Sequence, residues 1–154
     1  MKKILILVAL CGCGFRPMFV DNNTNIFVPV INGINGIELR NALNTKFGGP
    51  HENGAPYTLR VTLKNPITKY KALEPTGDAT WQEIYLSANY VLEHNGEKIA
   101  SGTEVASESY TFVRYLVAAN ASYNNAVANT ITVLADKIGT RVIAEISEYE
   151  TIKK

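Results

Sequence analysis

The residues from 79 to 112 predict a long β-hairpin and read ATWQEIYLSANYVLEHNGEKIASGTEVASESYTF. Asn95-Gly96 lies near the middle, and this pair is the strongest short signal for a two-residue type I′ turn. Before the turn, hydrophobic side chains occupy alternate positions, as in a half-buried strand; they are Ile84, Leu86, Ala88, Tyr90 and Leu92. The turn predicts the register of the hairpin. The predicted pairs include His94–Glu97, Leu92–Ile99, Leu86–Val105 and Trp81–Tyr110.

Two further strands are predicted on the N-terminal side of the hairpin. Residues 57–64 alternate, with Tyr57, Leu59, Val61 and Leu63 on one face and Arg60 and Lys64 on the other. Asn65-Pro66 interrupts this strand, and residues 67–70 can continue it. Residues 25–31 predict a short strand. Because Pro29 cannot donate to a ladder, this strand lies at a sheet edge or carries its proline on the unpaired side.

Two amphipathic helices are predicted around these strands. Asn35 and Glu38 resemble a capping box, and an apolar stripe of Leu39, Leu43 and Phe47 follows it. Gly48-Gly49-Pro50 ends this helix. Residues 122–149 carry apolar side chains at steps of three or four, which predicts a long second helix. Gly139 lies inside it, and the sequence leaves open whether the helix bends there.

The order strand, helix, three strands, helix predicts an α+β fold. We expect a two-layer sandwich in which two helices cover a four-stranded, mostly antiparallel sheet. A chain of 154 residues suits one domain, which we assign to residues 25–154.

Composition argues against two function classes. The chain has 15 Lys and Arg against 14 Asp and Glu, a formal charge of +1, so no cationic excess is available for general nucleic-acid binding. His51 and His94 lack Cys, Asp or Glu at the spacing of a metal site or a catalytic triad. Glu83, Glu104 and Glu108 on the hairpin are expected to form a solvated face rather than an acid–base pair. We therefore predict no enzymatic activity.

The first residues predict a secretory signal peptide. Lys2-Lys3 precede the apolar run 4–10, which is far shorter than the roughly 20 residues of a membrane-spanning helix. A buried N-terminal strand is the alternative interpretation, but two lysines directly before the apolar run argue against it.

The end of this signal, Leu10-Cys11-Gly12-Cys13, resembles the lipobox of bacterial lipoproteins. The resemblance implies cleavage after Gly12, which removes residues 1–12, and attachment of diacylglycerol to Cys13, with palmitate as a typical acyl chain. Residues 13–24 then form a lipidated tether. Gly14 follows the anchor where inner-membrane lipoproteins tend to have Asp, so the resemblance favours a lipid-anchored, periplasm-facing protein of the outer membrane.

The mature start, Cys13-Gly14-Phe15-Arg16-Pro17-Met18-Phe19, resembles that of the LPS-assembly lipoprotein family LptE. The predicted element order, the glycine at 102 and the alanine-rich stretch 115–128 are similar to the family as well. This resemblance implies a protein that partners and plugs the LptD β-barrel and serves lipopolysaccharide transport, with no cofactor. A free periplasmic lipid-binding or pilotin-like lipoprotein remains the alternative.

Two candidate surfaces follow. Arg60 and Lys64 are candidates for binding the phosphates of lipopolysaccharide. The planar guanidinium of arginine can donate two hydrogen bonds to a phosphate, and the ammonium of lysine on the same strand face adds a compact positive charge. An ordinary solvated strand face is the alternative. Four aromatic residues on the polar face of the hairpin are candidates for a partner surface, or they cover the sheet edge. They are Trp81, Tyr85, Tyr110 and Phe112.

Overall fold

A computed structural model describes residues 25–73, 75, 79–111 and 115–153 of the chain. The predicted α+β fold is confirmed: two helices pack on a mixed sheet. The elements in chain order are β1 (Ile26–Phe27), α1 (Ile34–Lys46), β2 (Tyr57–Leu63), β3 (Ile67–Leu73), β4 (Ala79–His94), β5 (Glu97–Thr111) and α2 (Leu116–Ile152).

The sheet is built around β4. The strand β5 pairs antiparallel with one edge of β4, whereas β2 and β3 pair antiparallel with its other edge, end to end. The short strand β1 adds to β2 in parallel. The described sheet therefore has five strands rather than the four predicted.

The extra strand comes from the predicted continuation of β2. Leu63 pairs with Ala88 and Ile67 pairs with Tyr85, so three residues of the chain face only two residues of β4. Pro66 has no N–H to donate at this point. The ladder breaks there, and β3 resumes along the same edge of β4.

The hairpin turn is confirmed, but its register is confirmed only beside the turn. Asn95 and Gly96 both have positive φ, 51° and 84°, as a type I′ turn requires. His94 pairs with Glu97, but a bulge follows and Leu92 pairs with Ala100, not with Ile99. Every later pair is shifted by one residue, so Leu86 faces Ala106 and Trp81 faces Thr111.

This shift reverses the faces of β5. Ala100, Gly102 and Ala106 lie on the face that α2 covers, and Ala106 is buried. Small side chains there let the helix approach the sheet closely. Among the three glutamates predicted on the polar face, Glu104 and Glu108 instead share the helix side with Ala106, and Glu83 faces Ser109 rather than Glu108.

The helices bury the stripes that the sequence predicts. Leu39, Leu43 and Phe47 are buried under α1, but this helix starts after Gly33 with no side-chain cap, so the predicted capping box is wrong. The second helix runs without a break through Gly139. A Cβ on this glycine would lie 2.8 Å from Cγ of Lys46, so the glycine makes room for the end of α1.

Candidate binding face

The sheet has one face that neither described helix covers, which we call the open face. Because side chains alternate along a strand, β4 directs its apolar even-numbered residues to the helices and its odd-numbered residues to the open face. The open face carries Arg60 from β2 and Trp81, Glu83 and Tyr85 from β4. Charged and aromatic groups thus share one exposed surface.

Two lysines, a tyrosine and a glutamate form a cluster on the open face. Nζ of Lys69 lies 4.2 Å from the ring centroid of Tyr85, and Nζ of Lys71 lies 5.9 Å from it. The Tyr85 hydroxyl donates to Oε2 of Glu83 at 2.6 Å, and Lys71 forms an ion pair with the same oxygen. We call these four residues the lysine–tyrosine cluster.

Glu83 is the electrostatic centre of the cluster. Hydrogen bonds from Lys71 and then Tyr85 lower the pKa of the Glu83 carboxyl to about 2, and the hydroxyl of Ser107 adds to this effect. The same contact with Glu83 raises the pKa of Lys71. Both groups are therefore charged at neutral pH. Glu83 neutralises Lys71, and Lys69 contributes the remaining positive charge next to an aromatic ring.

The sequence-predicted cations Arg60 and Lys64 lie farther along the same sheet. Arg60 is exposed on the open face, where its Nε lies 3.0 Å from Oε1 of Glu93. Lys64 follows the last residue of β2, and its backbone N–H donates to the carbonyl of Ser87 at 2.9 Å. Glu93 offsets the charge of Arg60, so a ligand phosphate would compete with this carboxylate.

The four aromatic residues predicted as one partner surface do not share a face. Trp81 and Tyr85 lie on the open face, and Trp81 is 52% exposed. Tyr110 lies on the helix side, because the bulge moves it opposite Gln82, whose Oε1 accepts a 2.5 Å hydrogen bond from its hydroxyl. Its ring also meets the edge of Tyr123 on α2. Phe112 and Cys13 lie outside the described residues.

A second feature is an exposed apolar patch at the distal end, by which we mean the end of the sheet farthest from the Asn95-Gly96 turn. Large apolar side chains are more than half exposed there on both strands and helix. They are Ile67, Tyr70, Leu73, Trp81, Tyr115, Leu116 and Val117. On the open face the lysine–tyrosine cluster lies next to Ile67 and Trp81, whereas Tyr70 pairs with Gln82 and lies on the helix side.

Buried tyrosines attach α2 to the sheet at the other end. The Tyr90 hydroxyl donates to Oε1 of Glu145 at 2.8 Å, and the Tyr57 hydroxyl donates to Oε1 of Glu150 at 3.0 Å. Burial and then the glutamate contacts raise the pKa of each tyrosine to about 12. These contacts join α2 to the sheet, and Oε2 of Glu145 is buried without a hydrogen-bond partner among the described residues.

Both histidines contact neighbouring residues of the described chain. His94 packs between the rings of Tyr57 and Tyr149, with centroids at 4.8 and 5.3 Å, and His51 contacts the carbonyl of Phe47 at 3.2 Å. Within the described residues, no group of three or more His, Cys, Asp or Glu side chains could hold a metal ion.

Sequence reasoning missed Lys69 and Lys71. The signal was present, because the two lysines flank Tyr70 in an alternating stretch directly after Pro66. The stretch looked like the end of another strand. Only its pairing with Glu83 and Tyr85 of β4 shows that these lysines belong to a cluster.

No family model and no curated protein matches this chain. Solved structures do match. A protein assigned as a lipoprotein from Caulobacter crescentus has a TM-score of 0.67 and 18% identity, over 82% of this chain and 93% of that one. Rare lipoprotein B from Shewanella oneidensis has a TM-score of 0.60 and 15% identity, over 82% and 96%. A minor lipoprotein from Acinetobacter baumannii has a TM-score of 0.57 and 18% identity, over 79% and 92%.

The chain has the fold of these bacterial lipoproteins. At such identities the likeness concerns the fold alone. Across the described residues, neither helix combines the length and the apolar composition that a membrane span needs.

Proposed function

We propose that this protein is an LptE-type lipoprotein of the outer membrane, which partners and plugs an LptD-like β-barrel during lipopolysaccharide transport. The observation that carries the proposal is the mature start Cys13-Gly14-Phe15-Arg16-Pro17 in a chain whose fold resembles that of rare lipoprotein B. Cys13 is the proposed site of lipidation. The protein acts by binding and needs no catalytic group.

The open face supports a role in lipopolysaccharide binding. Lipid A presents phosphates beside acyl chains, so its binding surface should combine cations with exposed apolar groups. Lys69 and Lys71 lie next to the exposed side chains of Ile67 and Trp81. Arg60 and Lys64 extend the cationic face along β2, although Glu93 already pairs with Arg60.

The geometry of the chain ends supports a role as a plug. The described chain begins beside β1, which pairs with the start of β2 near the hairpin turn. The strand β4 has 16 residues and spans roughly 50 Å. The apolar distal end is thus far from the point at which an anchored tether would join the domain, and it can reach into the lumen of a partner.

Co-purification tests the proposal against the free-carrier alternative. The lipidated chain is expressed with an affinity tag at its C-terminus, and the outer membrane is extracted with mild detergent. We expect one large β-barrel protein to elute with the tagged chain at equal molar amount. The variant with Trp81→Ser and Leu116→Ser tests whether the distal end is needed for the barrel to elute with the tagged chain. The variant with Val30→Ser and Ile152→Ser is the control, because it removes two exposed apolar side chains elsewhere on the surface. Elution of the unsubstituted chain without a barrel would contradict the plug function and favour a free carrier.

A further inference from the structure

The carboxylate of Glu83 on the open face is surrounded by hydrogen-bond donors. Its Oε2 accepts the hydroxyl of Tyr85 at 2.6 Å and forms the ion pair with Lys71. The hydroxyl of Ser107 on β5 donates to the same carboxylate. The side chain of Glu83 is only 12% exposed, so these donors largely enclose it. An ammonium group together with hydroxyl groups is also what a bound phosphate would need.

This arrangement gives the two lysines of the lysine–tyrosine cluster unequal roles. Lys69 lies directly opposite Glu83 in the ladder, yet the ion pair of Glu83 is with Lys71. Nζ of Lys69 instead lies 4.2 Å from the ring centroid of Tyr85. The carboxylate therefore neutralises one of the two ammonium groups, and only the other adds net positive charge to the cluster.

The ion pair of Glu83 and Lys71 is not part of the hydrophobic core. All residues of β3 are exposed, and the side chain of Lys71 is 47% exposed. An ion pair at such a position adds little to stability, because water screens it and two long side chains lose freedom. The charge of Glu83, by contrast, acts directly on any anion that approaches the two lysines. The carboxylate therefore matters more for binding than for folding.

We propose that Glu83 is an internal competitor for the phosphate groups of lipopolysaccharide. It occupies donors of Lys71 and Tyr85 that a lipid phosphate would otherwise take, and it thereby lowers the affinity of the open face. The ammonium of Lys71 has rotatable donors on a flexible stem, so it can turn from the carboxylate to a ligand and back. The inference rests on the lipopolysaccharide binding proposed above and adds what limits its strength.

This competition suits a protein that passes a lipid onward. Such a protein must release the lipid as well as bind it, so very tight binding would slow transport. When the phosphate leaves, the carboxylate of Glu83 takes back the donors of Lys71 and Tyr85, so these groups do not have to wait for water or a second ligand. The exchange involves side chains alone, and the ladder between β3 and β4 stays intact.

Equilibrium binding of purified lipopolysaccharide to the full lipidated chain in mild detergent tests the inference. Glu83→Gln keeps the size of the side chain and removes its charge. We expect its dissociation constant to be about fivefold lower than that of the unsubstituted chain. Glu148→Gln is the matched control, because it removes the same charge at an exposed position of α2 near the turn end. High salt should abolish the gain of Glu83→Gln and leave the control unchanged.

A double variant tests whether the gain comes from Lys71. Glu83→Gln with Lys71→Gln restores the net charge of the cluster, so the dissociation constant should return to within about twofold of that of the unsubstituted chain. A gain caused by a rearranged sheet would persist in this double variant and would overturn the inference. Circular dichroism verifies the fold of each variant. If Glu83→Gln does not fold, Glu83→Ala removes the same charge and decides in the same way.

The outcomes separate this inference from the proposed function. Lipopolysaccharide binding that is unchanged or weaker in Glu83→Gln, with the fold intact, would overturn the inference and leave the proposed function standing. An equal gain from Glu148→Gln would overturn it as well, because the effect would then come from net charge alone. No binding by the unsubstituted chain would contradict the lipopolysaccharide binding proposed for the open face, and the inference with it.

Discussion

Gly102 lies where any larger residue would meet Tyr90. A Cβ at this position would be 2.7 Å from the Tyr90 hydroxyl oxygen and 2.9 Å from the ring. The ring is buried and cannot move aside easily, since its hydroxyl donates to Glu145. The glycine thus leaves room for the tyrosine side chain to cross β5 and reach α2. Glycine is needed here because it has no side chain, not because of its backbone conformation.

This contact makes Gly102→Ala destabilising. We expect a loss of about 1–3 kcal/mol in the free energy of unfolding, the usual range for an overpacked site. Ser101→Ala, at an exposed position on the open face of the same strand, is the control and should change stability by less than about 0.5 kcal/mol. Urea unfolding followed by circular dichroism measures both. Equal stability of the two variants would mean that Tyr90 moves without loss.

The proposed lipid anchor is tested at Cys13. Cys13→Ala should leave an uncleaved precursor, because the signal has no acylated residue to process, whereas Cys11→Ala should be processed normally. Incorporation of labelled palmitate and the mass of the chain on a gel measure the two variants. Label that persists in the Cys13→Ala chain would assign the anchor to another residue.

At the scale of elements, two buried tyrosines join α2 to strands β2 and β4. Tyr57 and Tyr90 donate to glutamates of the helix, and the pKa of each tyrosine is raised from 10.0 to about 12. The unfolded chain therefore ionises its tyrosines at lower pH than the folded chain does. The stabilisation is complete below pH 10 and is lost as the pH rises toward 12.

We therefore predict that the free energy of unfolding falls between about pH 10 and pH 12. The double variant Tyr57→Phe and Tyr90→Phe should show a shallower fall, because two of the linked groups are gone. Tyr115→Phe, at an exposed position, should leave the slope unchanged. Denaturant unfolding at a series of pH values measures the slopes. Parallel slopes for the double variant and the unsubstituted chain would contradict the linkage.

The sequence predicts elements well where one face is clearly apolar. The alternation of Ile84, Leu86 and Leu92 and the stripe of Leu39 and Leu43 are strong, and all five residues are buried. Fold class, the turn and both helices follow from such patterns. The ends of α2 and the short length of β1 do not, because they depend on packing rather than on local composition.

The register of β5 could not be predicted from local pattern. From residue 99 to 106 the pattern allows either face of the strand to pack against the helix. One face carries the apolar residues Ile99 and Val105, and the other carries Ala100 and Ala106. The close approach of α2 decides in favour of the small residues, and the bulge between Leu92 and Glu93 accommodates the shift. The predicted partner surface is wrong for the same reason, because the one-residue shift places Tyr110 on the helix side, away from Trp81 and Tyr85.

On the scale of the whole molecule, the two faces of the sheet have different tasks. The helix side holds the core, and its polar groups are largely engaged in contacts with α2. The open face carries the lysine–tyrosine cluster and, next to it, the exposed side chains of Ile67 and Trp81. Binding functions are therefore expected on the open face and at its distal end.

The whole molecule is nearly neutral, so lipopolysaccharide binding should depend on the position of the cations and not on their number. Lys69→Gln with Lys71→Gln should weaken binding about tenfold, because contacts from charged donors to the lipid phosphates are lost. Lys98→Gln with Lys153→Gln removes the same charge at the other end of the molecule and should have little effect. Arg60→Gln with Lys64→Gln should fall between them, because Arg60 lies opposite Val91, far along β4 from the exposed Trp81 that the lysine–tyrosine cluster adjoins. Binding to purified lipopolysaccharide at two salt concentrations measures all three pairs, and the difference should shrink at high salt. Equal losses from the Lys69–Lys71 and Lys98–Lys153 pairs, with folding intact by circular dichroism, would show that the lysine–tyrosine cluster is a merely solvated part of the sheet.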